Sequence, residues 1–230
     1  MGNRGFYGFS GNEYQRSYNW LGWPYAVDSE AETFLPHHLG GLIRWYDFAT
    51  TPVGSTTVID RAGVANGTLT GASILGSALD GKNVCVIATT NARLEFASVG
   101  VITAIQCRIE AGSPNQFFFS DSANFNFHSS GTFILHPTNA HSNTINGLWR
   151  TNGVRVNPLT AGYGAGWHVT SVVCAGTLSQ NRIGFDRTFN QIWVNLAEVV
   201  VYGRALPPDE VMLVERYLAY KWKVYGYNPN

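Results

Sequence analysis

The stretch from Val101 to Glu110 sets the terms for this chain, because Val101, Ile105, Cys107 and Ile109 alternate there with Ala104, Gln106, Arg108 and Glu110. Successive side chains of a strand point to opposite faces, so a period of two predicts a β-strand with one face covered and the other wet. Leu42 to Phe48 and Trp193 to Tyr202 read as further strands, the second one buried. Others are expected near Gln116 to Ser120, Asn124 to His128 and Thr132 to His136, separated by Asp-Ser-Ala and Ser-Ser-Gly turns. Asn152-Gly153 stands between Leu148-Trp149-Arg150 and Val154-Arg155-Val156, and Asn-Gly best tolerates the two positive φ angles of a type I′ hairpin turn. Asn66-Gly67 and Asp80-Gly81 read as similar punctuation. With 25 glycines and 13% aromatic residues, an all-β chain of short strands and tight turns is expected.

One segment departs from this pattern. Pro207-Pro208-Asp209-Glu210 opens a helix, since proline suits the first helical turn and acids suit the positive end of the helix dipole. Val211, Val214, Leu218 and Trp222 then form one apolar stripe, with Lys221 and Lys223 near the negative end. The expectation is a β-sandwich capped by a single C-terminal α-helix. A chain of 230 residues buries roughly 70% of its unfolded surface, so its stability requires neither disulfides nor a structural metal.

Residues 1–40 differ from 41–230. Phe6, Tyr7, Phe9, Tyr14, Tyr18, Trp20, Trp23, Tyr25 and Phe34 are scattered among Gly, Asn and Ser without helical or strand period, which reads as an irregular N-terminal arm. Disordered tails are poor in aromatics. The arm is therefore expected to be pinned, either on its own domain or across a neighbouring subunit.

Lys plus Arg and Asp plus Glu both number 15, and charged residues make up only 13% of the chain. Such a neutral surface lacks the basic footprint of nucleic-acid or anionic-lipid binding. No apolar run approaches the roughly 20 residues of a membrane-spanning helix, so no membrane insertion is expected. The first residues lack the charged start, apolar middle and small-residue cleavage site of a secretory signal peptide. Cys85, Cys107 and Cys174 each lie in a β-branched run and read as buried, reduced thiols of a protein folded in a reducing cytoplasm.

Gly41-Leu42-Ile43-Arg44-Trp45-Tyr46-Asp47-Phe48, Ile59-Asp60-Arg61-Ala62-Gly63, Asn66-Gly67-Thr68-Leu69 and Ala78-Leu79-Asp80-Gly81-Lys82-Asn83 together resemble the opening of a concanavalin A-like lectin/glucanase domain of the laminin-G type. The ending is more specific. Asn195-Leu196-Ala197-Glu198-Val199-Val200-Val201-Tyr202-Gly203-Arg204-Ala205-Leu206, followed by Asp209-Glu210 and Val214-Glu215-Arg216-Tyr217-Leu218-Ala219-Tyr220-Lys221-Trp222, is similar to that family's closing strand and helix. Leu148 to Val156 resembles its central hairpin, and the likeness extends from Gly41 to Val224. Pro207 stands where the family has a Ser or Thr helix cap, a side-chain acceptor worth about 1 kcal/mol. The resemblance implies a two-sheet antiparallel jelly-roll sandwich with ligand loops at its rim. Sugar binders, glucanases, adhesion modules and virion proteins share that fold, so it leaves the function open.

Retaining glucanases need two carboxylates about 5 to 5.5 Å apart, and the family's Glu-x-Asp-x-x-Glu strand is missing here. Asp28, Glu30 and Glu32 have suitable spacing but fall in the arm. Glu198, inside an apolar strand, reads either as an acid of raised pKa or as a hydrogen-bonded structural carboxylate. His128, His136 and His141 share one region, yet scattered histidines are ordinarily surface hydrogen-bonding groups. Asp60 and Asn66 offer two oxygen donors where Ca²⁺ takes about 6 to 8. No catalytic residue, metal or cofactor is expected. Sugars are held by flat aromatic faces beside amides, which makes Trp149, Asn152, Tyr163 and Trp167 the candidate carbohydrate-binding residues. The same aromatics suit a core equally.

These features lead to the expectation of a non-enzymatic virion protein of a tailed bacteriophage: a capsid decoration, head fibre or tail-attachment component, assembled in the host cytoplasm. Its expected partners are other virion proteins and further copies of itself, contacted through Phe6, Tyr7, Phe9, Tyr14, Tyr18, Trp20, Trp23 and Tyr25, with host-surface glycan as a further ligand. A lectin-like adhesin module is the alternative, and a glycoside hydrolase the third reading.

Overall fold

The computed structural model describes residues 34–109, 118–163, 166–185, 187 and 194–228, and the backbone of 17–18, 24–25 and 110. Two short strands, β1 (Ser17–Tyr18) and β2 (Pro24–Tyr25), pair with each other. Ten more form one antiparallel network: β3 (Leu42–Asp47), β4 (Thr57–Val58), β5 (Gly67–Thr70), β6 (Ser73–Leu79), β7 (Lys82–Ile87), β8 (Arg93–Glu110), β9 (Leu148–Thr151), β10 (Val154–Val156), β11 (His168–Gly184) and β12 (Val194–Tyr202). The described α-helices are a single turn, α1 (Ser142–Ile145), and α2 (Pro208–Lys221), beside short 3-10 turns at Pro36–His38 and Phe48–Thr50. The all-β expectation with one substantial C-terminal helix therefore holds.

Strand order runs β10-β9-β11-β8-β12-β7-β6, with β3 also on β12 and β5 on β8. The long pair β8 and β11 forms the axis, in register from His168↔Arg108 to Gly184↔Arg93 with two shifts between. Two core clusters flank this axis. One joins Trp45, Ile105, Cys107 and Tyr202 to Val214, Leu218 and Trp222 of α2. The other joins Ala104, Val172 and Val199 to Phe118, Phe127, Ile134 and Trp149. Fully burying one such side chain contributes roughly 1.5–3 kcal/mol, so the stripe Val211, Val214, Leu218 and Trp222, all buried, fixes the helix to the sheet.

Several expectations need correcting. The even-numbered face of β8 is not wet: Gln106 and Arg108 are buried as fully as Ile105. Their cover is the connection from β8 to β9, whose Phe118, Phe127, Ile134 and Leu135 lie in the same cluster as Ala104. That connection forms none of the expected strands among its described residues. Among its described residues it meets the network at the bridge Ser120↔Arg182 and through side-chain bonds such as Asn126 Nδ2 to the Ser179 carbonyl at 2.9 Å, and it is bonded within itself by contacts such as His136 N–H to the His128 carbonyl at 2.7 Å.

Asn152 and Gly153 have φ of +48° and +82°, and Asp80 and Gly81 of +48° and +72°, as the hairpin reading requires. Asn66-Gly67 is different, for Gly67 opens β5, where an added Cβ would meet Leu94 Cδ1 at 2.6 Å. Close packing, not a turn, selects that glycine. The last part of the expected arm also packs on the body. Phe34 lies 6.1 Å from the Tyr217 ring, and the Pro36 carbonyl accepts a 2.8 Å hydrogen bond from the Tyr202 hydroxyl.

Candidate functional site

The pairs His168↔Arg108 and Val194↔Glu110 bring the end of β8 and the starts of β11 and β12 to one end of the sheet. Arg108, fully buried, has its guanidinium carbon 4.7 Å from the centre of the Tyr163 ring and 5.6 Å from that of Phe118. Tyr163 stacks on His168 at 5.9 Å. Arg108 Nη1 donates to Gln106 Oε1 at 2.9 Å, and Gln106 Nε2 donates to the Phe118 carbonyl at 2.8 Å. A cation over an aromatic face contributes from about 0.5 kcal/mol at exposed sites to about 2 kcal/mol when desolvated, so this column holds the half-buried Tyr163 in place.

The four candidate sugar-binding residues do not assemble into one platform. Tyr163 packs against the cluster containing Phe118, while Trp167 packs against the opposite cluster beside α2. Both are half-buried and stand at the same end of the sheet. Asn152 is nearby, but its Oδ1 accepts the Val169 N–H at 2.9 Å, which ties the hairpin to β11. Trp149 is fully buried, 5.3 Å from the Phe118 ring, and its Nε1 donates to the Thr144 carbonyl at 2.8 Å. It offers no face to a sugar, because β9 turns it toward the covered side of the sheet. Of the arm candidates, Phe6, Tyr7, Phe9, Tyr14, Trp20 and Trp23 lie outside the described residues, as do Asp28, Glu30 and Glu32. Tyr18 and Tyr25 are described in backbone only.

The densest polar chemistry lies under α2. Leu196 and Val199, three residues apart, belong to the same cluster, which strict alternation forbids. A register shift between Leu196 and Glu198 supplies the extra residue and aims Glu198 at the helix. There Glu198 Oε1 accepts from Trp45 Nε1 at 2.6 Å and the Tyr217 hydroxyl at 3.0 Å. Its Oε2 accepts from Lys221 Nζ at 2.6 Å and Trp222 Nε1 at 2.8 Å. Lys221 Nζ also lies 2.8 Å from Asp47 Oδ2, which Arg61 contacts as well. Burial pushes the Glu198 carboxyl above its usual range, the charge of Asp47 adds to this, and Lys221 opposes it.

A second buried carboxylate, Glu215, escaped the sequence reading. Its Oε1 accepts from the Ser171 hydroxyl at 2.5 Å, both its oxygens face Arg150 Nε at 3.2 Å, and Tyr227 donates to Oε2 at 3.2 Å. Burial raises its pKa too. The available signal was its position, four residues after Val211 on the apolar stripe.

Elsewhere, Asp60 accepts backbone N–H groups of Trp45, Ala62 and Ala65, while Asn66 Oδ1 accepts that of Asp60. These groups shape a loop. Among the described residues, no group of three His, Cys, Asp or Glu is placed to hold a metal ion. An open groove of about 430 Å³ runs between Ile145–Leu148 and Arg155–Pro158, along the β9–β10 pair in which Val156 stands opposite Trp149. No described helix is long and apolar enough to cross a membrane. No family model, curated protein or solved structure matches the chain.

Proposed function

We propose that this chain is a non-enzymatic structural and adhesion component of a tailed-bacteriophage virion. In this reading residues 41–230 form a two-sheet, concanavalin A-like jelly roll, and residues 1–40 anchor it to other virion proteins or to further copies of the chain. The observation that supports it best is the use made of the acids in the closing motif. Glu198 and Glu215 are sealed beneath α2 with each oxygen bonded to protein donors, an arrangement that fastens a helix to a sheet rather than meeting a substrate. Tyr163 and Trp167, both half-buried, are the aromatics through which weak stacking on surface glycan would occur, each on its own side of the sheet end. Light scattering of the full chain and of a chain lacking residues 1–33 tests the anchor: the full chain is expected to form an oligomer that the truncated chain does not. Equal masses for the two would overturn the anchoring role, and release of reducing ends from polysaccharide would overturn the non-enzymatic one.

A further inference from the structure

We propose that Lys221 and Asp47 are joined by an intramolecular isopeptide bond, with Glu198 relaying the protons. The three side chains come from α2, the end of β3 and the middle of β12, and sheet register sets Glu198 opposite Asp47. Lys221 Nζ sits between the two carboxylates, 2.8 Å from Asp47 Oδ2 and 2.6 Å from Glu198 Oε2. Asp47 and Glu198 have side-chain exposures of 1% and 0%, and Lys221 of 19%. Trp45, Tyr217 and Trp222 wall the pocket. Poor solvation disfavours the ion pair and favours a neutral amide in its place.

The chemistry balances within these residues. The Lys221 ammonium passes a proton to the Glu198 carboxylate, which leaves a neutral amine beside the Asp47 carboxyl carbon. The amine adds to that carbon, forming the C–N bond. Arg61 at Oδ2 and the Ala49 N–H, 3.2 Å from Oδ1, stand where negative charge develops on the tetrahedral intermediate. Glu198 gives its proton to one oxygen, takes a second from nitrogen and delivers that to the same oxygen, which leaves as water. The products are an amide, one water and ionised Glu198. The carboxylate keeps Trp45 Nε1, the Tyr217 hydroxyl and Trp222 Nε1 as donors, so no buried partner is orphaned. Fixed geometry of this kind reaches effective molarities on the order of 10⁵ M, which offsets the tendency of water to reverse the condensation.

The test is the intact mass of the purified full chain under denaturing conditions, with tandem mass spectrometry of its digest. The expected result is a mass below that of the sequence by one water, and a branched peptide joining the segments that contain Asp47 and Lys221. Lys221→Arg, which keeps the cation, is expected to restore the full mass. Glu198→Gln is expected to leave a folded but unlinked chain, with circular dichroism establishing the fold. The full sequence mass in the unsubstituted protein would overturn the proposal. So would a water loss mapped to a succinimide at Asp80-Gly81 without the branched peptide. The unsubstituted protein decides the matter even where a variant fails to fold.

Discussion

Replacing Glu215 by glutamine isolates the second of the two carboxylates that hold α2. The change keeps size and shape but puts an amide nitrogen where one carboxylate oxygen was. Hydroxyls at Ser171 and Tyr227 can turn and accept from that nitrogen, whereas Arg150 Nε faces both oxygens and can only donate. The loss is then one hydrogen bond to a charged group, about 1.5–3 kcal/mol. Arg150 retains 19% side-chain exposure and a bond to the Gly153 carbonyl, which places the expected cost toward the lower half of that range. For a chain of this length each kcal/mol shifts Tm by roughly 2–4 °C, so a fall of about 4–8 °C is expected. Thermal unfolding followed by tryptophan fluorescence measures it. A double-mutant cycle with Arg150→Met should return a coupling of about 1 kcal/mol or more. The pH dependence has a defined sign. A raised folded-state pKa means that the native state binds this proton more tightly than the unfolded chain does. The contribution of Glu215 is therefore most favourable at low pH and is lost as pH rises from about 4.5 toward the raised value. An unchanged Tm together with zero coupling would refute the view that Glu215 fastens the helix.

Two further outcomes follow from the buried groups. The pKa of His128 is lowered by burial, then by His136 and Arg187, so native protein resists a proton that unfolded chain accepts. Its contribution is full above about 6.5 and is lost as pH falls toward the lowered value, and His128→Phe should flatten the stability profile there relative to the unsubstituted protein, as denaturant titrations at several pH values will reveal. Cys85, Cys107 and Cys174 are buried and free, with Cys174 pushed up to about 12, so a thiol reagent at neutral pH should label none in native protein and all three after denaturation; rapid labelling before unfolding would contradict their burial.

What was legible in the sequence was what local geometry decides. Asn152-Gly153 and Asp80-Gly81 announce their hairpins because two consecutive positive φ values admit few residue pairs. The α2 stripe announces itself because burial recurs at helical spacing. Asn66-Gly67 carries the same letters for another reason, the nearness of Leu94, and adjacent residues hold no record of that.

The covered face of β8 marks the deeper limit. Alternation tells that Gln106 and Arg108 share a face, but whether water reaches it depends on a connection of more than thirty residues that has no period of its own. The polar character of that face is kept because it is satisfied internally, by Gln106 on the Phe118 carbonyl and by Arg108 between two rings. The closing motif shows the converse. Glu198, Tyr217, Lys221 and Trp222 were legible as residue types at fixed spacing, yet their reason is one hydrogen-bonded unit that exists only once a register shift in β12 turns the glutamate toward the helix. A pattern that reads as scattered apolar and charged positions is, in three dimensions, one acceptor and its donors. Chemistry assigned to Glu198 must therefore begin from those partners and not from the acid alone.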